Sequence, residues 1–84
     1  MQPPAEAHIE HIVALISDYW CANPAAADLA EGVAWWVPEL ADMPPAWIQE
    51  ALERLVQRGL AVARQQPDGR TIYASSRRVH PPAP

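Results

Sequence analysis

Between Ala46 and Ala74 three local signals follow one another in an order that few small folds accommodate. Ile48, Ala51, Leu52, Leu55 and Val56 recur at three- and four-residue steps, which lays one apolar face along a helix. Gly59 then stops it, because glycine takes the left-handed C-cap conformation without a Cβ clash, and Arg58 before it suits the negative end of the helix dipole. Two short segments follow, Leu60 to Gln65 and Arg70 to Ser75, separated by Pro67-Asp68-Gly69, in which proline presets φ and glycine is free to take positive φ. The order is therefore helix, stop, strand, turn, strand. An isolated hairpin is marginal in water, so this one must pack against the helix before it.

These residues resemble the winged helix-turn-helix family. Met43, Pro45, Ile48, Leu52, Leu55, Gly59 and Leu60 look like that family's pattern of hydrophobic, Pro, aliphatic, Leu, Leu, Gly-Leu running through the recognition helix into the first wing strand. The resemblance implies a mostly α domain of three helices with a C-terminal β-hairpin. It says less about function, since such domains serve as DNA readers and as protein- or peptide-docking modules alike.

Eighty-four residues make one domain with a small core, and a chain that is 50% hydrophobic has the apolar material to fold. The expected organisation is an extended arm at 1–4, a winged-helix domain at 5–76 and a flexible Arg- and Pro-rich tail at 77–84. The first helix is expected over 5–21, with Ile9, Ile12, Val13, Ile16 and Tyr19 or Trp20 on its inner stripe. Asn23 and Pro24 are suited to the N-cap and first turn of a second helix over 24–36, with Leu29, Val33 and Trp36 inward. The third helix is expected over 45–58 and the wing strands over 60–65 and 70–75. An alternative alignment puts the family's second helix at Pro38 to Asp42, makes Trp35 to Val37 a short strand and leaves Pro24 to Val33 as an insertion.

Charge is divided unevenly along the chain. Residues 1 to 53 carry nine carboxylates and neither Lys nor Arg, whereas residues 54 to 84 carry Arg54, Arg58, Arg64, Arg70, Arg77 and Arg78 against Asp68 alone. One end could sit on phosphates while the other repels them, or the two halves simply attract each other in the fold. No basic segment precedes Arg54, no uncharged run reaches membrane-spanning length, and the single Cys21 excludes an internal disulfide. A cytoplasmic protein without a membrane partner is the expectation.

Catalytic and metal-binding constellations are thin. His8 and His11 lie three apart, but two imidazoles do not make a tight site, and they are expected to be solvated; no metal or cofactor is expected. Cys21 lacks an evident base and is expected as a small core residue, and Ser75-Ser76 lacks the glycines of a nucleophile elbow, so no enzymatic activity is expected.

The outer face of the third helix decides between functions. At 100° per residue, with Ile48, Leu52 and Leu55 inward, Ala46, Gln49, Glu50, Glu53, Arg54 and Gln57 point outward. Gln49, Arg54 and Gln57 suit base edges, and Arg64, Arg70, Arg77 and Arg78 suit phosphates, which makes a DNA-binding transcription regulator with double-stranded DNA as its partner the leading expectation. Glu50 and Glu53 oppose it. They favour instead a protein-docking adaptor or accessory subunit that uses Trp35, Trp47, Glu50 and Glu53, since of two tryptophans that cannot be equally buried one is available as an exposed anchor. A homodimer is compatible with either.

Overall fold

The computed structural model describes residues 4–76, so residues 1–3 of the anticipated arm and the tail with Arg77 and Arg78 lie outside the described residues, while Pro4, expected as the end of that arm, opens the first helix. Helix α1 spans Pro4–Ala22, strand β1 Ala27–Leu29, helix α2 Ala30–Val33, a 3-10 turn Pro38–Asp42, helix α3 Pro45–Gln57, strand β2 Ala61–Gln65 and strand β3 Thr71–Ser75. The three strands form one antiparallel sheet in the order β1-β3-β2. Helices wrapped on a small sheet with a C-terminal hairpin are compatible with a winged-helix-like fold.

Helix α1 buries Ile9, Ile12, Val13, Ile16 and Trp20, a stripe at helical spacing, against the similar stripe of Ile48, Ala51, Leu52 and Leu55 on α3. Pro45 opens α3, where a missing N–H costs nothing. At its other end Gly59 adopts φ 76°, its N–H donates to the Val56 carbonyl at 3.0 Å, and the Leu60 N–H donates to the Leu55 carbonyl at 2.9 Å. That paired bonding is a Schellman motif, and it turns the chain straight into β2. Gly69, with φ 88°, closes the tip of the hairpin, where the Arg70 N–H also donates to the Asp68 carboxylate at 3.1 Å.

The second helix departs from the 24–36 expectation. Asn23 does not cap a new helix but finishes the old one: its backbone N–H and its side-chain amide both donate to the Tyr19 carbonyl, at 2.8 and 3.2 Å. Residues 27–29 are then extended and pair with β3, Ala27 opposite Ala74, Asp28 opposite Tyr73 and Leu29 opposite Ile72. The cause is tertiary: β3 would otherwise leave an edge of unpaired backbone groups, and satisfying it outweighs the modest helix preference of the alanines. Only Ala30–Val33 is helical, and Trp35 to Val37, the strand of the alternative alignment, forms a turn instead. That alignment does place a helical turn at 38–42, which is observed in 3-10 form with Leu40 fully buried.

The Asp28 side chain lies against this short helix without capping it. Its carboxylate accepts the Leu29 N–H at 2.7 Å and lies against Gly32, where an added Cβ would come within 2.0 Å of an Asp28 oxygen. Among the tryptophans, Trp20 is buried and its indole N–H donates to the Ala26 carbonyl at 2.9 Å. Trp36 is half-buried, stacked on Tyr19 at 4.7 Å and edge-on to Trp20 at 5.6 Å. Cys21, expected in the core, is exposed, because it follows the buried Trp20 by 100° around α1 and falls on the far side of the stripe.

Candidate protein-docking face

Both arginines at the C-terminal end of α3, Arg54 in its last turn and the half-exposed C-cap Arg58, are engaged by carboxylates. Arg54, expected to face a groove of DNA, has only 19% of its side chain exposed and is surrounded by carboxylates. Its Nη1 donates to Glu6 Oε2 and to Glu10 Oε2, both at 2.6 Å, its Nη2 to Glu6 Oε1 at 2.8 Å, and its Nε to Glu50 Oε2 at 3.2 Å. Arg58, one turn on, donates to both oxygens of Glu10 at 3.1 and 2.7 Å. Two helices therefore meet through matched spacing: Glu6 and Glu10 are i and i+4 on α1, and Glu50, Arg54 and Arg58 continue at i+4 steps on α3.

The electrostatic result is mutual. Hydrogen bonds from Arg58 and then Arg54 hold the Glu10 carboxyl down at about 2, and the bonds from Arg54 hold Glu6 below its usual range. The bonds from Glu6, Glu10 and Glu50 raise Arg54 in turn, and those from Glu10 raise Arg58. All four groups stay charged across any ordinary pH, committed to one another.

Gln49, the second candidate base reader, is also tied down, its amide donating to the Tyr73 hydroxyl at 2.6 Å and to Glu53 at 3.1 Å. Gln57 is exposed, as are Arg64 on β2 and Arg70 immediately before β3, and neither arginine has a carboxylate within 4.0 Å among the described residues. Of the docking candidates, Trp35 is 80% exposed. Trp47 is half-buried, its ring lying parallel to that of His8 at 5.1 Å, so the first turns of α1 cover it. Glu53 is exposed and Glu50 is bound to Arg54.

Sequence reasoning missed a groove that runs between α2, the 3-10 turn and the first turns of α3, with a volume of about 510 Å³. Leu40 and Ile48 floor it, Ala30, Ala34, Met43 and Ala46 wall it, and its polar lining is limited to Glu31 and Gln49. Small side chains make the hollow: four alanines, counting Ala41, stand where larger residues would fill it. Alanines at such positions read as helix formers in a sequence, so nothing in the local pattern marks a cavity.

His11 approaches Glu39 at 3.4 Å, and among the described residues no group of three or more His, Cys, Asp or Glu is placed to hold a metal ion. No helix among the described residues is long and apolar enough to cross a membrane. Three helices on a small antiparallel three-stranded sheet are compatible with a winged-helix-like fold; comparisons with protein-family models, with curated proteins and with solved structures return no match.

Proposed function

We propose that this chain is a non-enzymatic protein-docking module on a winged-helix-like frame, an adaptor or accessory subunit rather than a reader of DNA. One observation carries the reading: Arg54 and Arg58, the cations that α3 could offer to phosphates, are engaged by Glu6, Glu10 and Glu50 at 2.6 to 3.2 Å. Duplex DNA at this face would have to displace those carboxylates and would also meet exposed Glu53. The full chain carries ten acidic side chains against six arginines, a formal net charge of −4, so its summed field disfavours a polyanion. A tryptophan exposed to 80%, next in sequence to the groove-lining Ala34, suits a protein interface instead, where such side chains concentrate binding energy.

A second reading, phosphate contact through the wing, is favoured by Arg64 and Arg70, which no described carboxylate neutralises within 4.0 Å. Two such contacts supply a salt slope of only about −2 and no sequence preference. Affinity purification from the native host, with and without nuclease, separates the readings. Docking predicts a stoichiometric protein partner that survives nuclease treatment and is lost with Trp35→Ala. An association abolished by nuclease would contradict it.

A further inference from the structure

The docking reading leaves open what the groove receives, and the charges around it decide the matter. Every ion pair of α3 lies on its α1 side, where Arg54 and Arg58 take up Glu6, Glu10 and Glu50. On the groove side no described cation is paired with an acid. Glu31 lines the hollow, Asp42 sits between the lining residues Ala41 and Met43, and Glu53 holds the amide of the lining residue Gln49; none of the three has a cation within 4.0 Å among the described residues. Arg70 lines the adjoining hollow with Glu31 but forms no ion pair with it. An apolar trough is thus flanked by three carboxylates that have no cation within 4.0 Å among the described residues.

We infer that this groove receives a short amphipathic helix of a partner protein, with apolar side chains seated between α2 and α3 and flanking Arg or Lys side chains meeting Glu31, Asp42 and Glu53. The inference rests on the docking reading and specifies its partner. The alanine walls allow close approach of a helix, and apolar anchors at i, i+3 or i+4 and i+7 match a trough lying between two helical segments. A free small ligand fits less well, because such sites converge several oriented polar groups, and here the Gln49 amide is already bonded to Tyr73 and Glu53. The complementary charge sets partner choice and orientation more than raw affinity.

Two synthetic helical peptides test this, each about 15 residues and four turns long with leucines at the anchor spacing. One carries Arg on its flanks and the other Glu, and amide shifts of the full chain are followed by NMR at low and high salt beside a random duplex DNA. The basic peptide should bind at least about tenfold tighter than its acidic twin at about 50 mM salt, the gap narrowing as salt rises. Shifts should centre on residues 30–34 and 40–49. Ala46→Arg, which puts a long cation into the trough at an exposed position, should weaken the basic peptide about tenfold. The surface variant Glu31→Gln/Asp42→Asn/Glu53→Gln, which leaves the core untouched, should erase the preference between peptides. Equal binding of the two peptides, or shifts mapping elsewhere, would overturn the groove assignment. Absence of binding by both peptides and by DNA removes the assignment and leaves the docking reading standing; DNA binding with shifts at Arg64 and Arg70 removes both.

Discussion

The Arg54 guanidinium lies 2.6 Å from the Glu10 carboxylate, across 44 residues of sequence, and the same guanidinium reaches Glu6 at 2.6 Å. This contact ties the start of α1 to the last turn of α3 and engages the cation that a groove-reading helix would need. Hydrogen bonds to a charged group shared between two partners are stronger than neutral ones, and here the fork of one arginine serves three carboxylates.

Acid should loosen this contact within a defined window. Glu10 is depressed to about 2 in the folded chain from 4.5, so its contribution is complete above the unfolded value and disappears as pH falls from about 4.5 toward 2. Glu6, lowered in the same direction, adds to the same limb. Thermal melts should show Tm falling through that range, and Glu10→Gln should lower Tm at pH 7 while flattening the acid limb. An unchanged acid limb in Glu10→Gln would show that the pair does not form in solution.

Gly32 should resist replacement although it is helical. A Gly→Ala change in an ordinary helix is stabilising by about 0.5–1 kcal/mol, but here the new Cβ would meet the Asp28 carboxylate at 2.0 Å. Asp28 would have to swing away and release the Leu29 N–H. Gly32→Ala should therefore fail to give that stabilisation, and its combination with Asp28→Ala should cost less than the sum of the two changes. Urea melts of the four-member cycle measure this, and strict additivity would show that the two residues are not in contact.

Cys21 offers an inexpensive check on the orientation of α1. Being exposed, it should react with a thiol reagent in the native protein nearly as fast as in the urea-unfolded chain. Protection by more than about a hundredfold would mean a buried thiol, an α1 rotated from the described position and local opening as the route to reaction.

Legibility from the sequence tracked the range of the interactions. The Ile48, Leu52, Leu55 stripe, the stop at Gly59 and the turn at Gly69 are local patterns, and they are found at the expected residues. Residues 24–36 were not legible in that way. Ala27–Leu29 is a strand only because β3, more than 40 residues later, offers it an edge, and no local propensity of Ala-Asp-Leu announces that. The candidate site divides along the same line. Exposure of Trp35 follows from its adjacency to an inward Trp36, whereas the fate of Arg54 depends on which flank of α3 receives α1. The i,i+4 spacings of Glu6 with Glu10 and of Glu50, Arg54 and Arg58 are a matter of sequence alone, but their facing one another is a property of the helix packing.

The most direct test of the account is a titration of a labelled random duplex with the wild-type chain and with Glu6→Gln/Glu10→Gln at about 50 mM salt, where nonspecific attraction to phosphates is strong and Kd values of about 1–100 μM are ordinary for DNA-binding proteins. Asp18→Asn/Glu39→Gln, with the same change in net charge at exposed positions, serves as the control. Wild type and control should show no binding at about 100 μM protein, whereas Glu6→Gln/Glu10→Gln, in which Arg58 is freed and Arg54 keeps only Glu50, should bind measurably and in a salt-sensitive way. Micromolar binding by the wild type, with a salt slope near −4, would contradict it and restore the DNA reading.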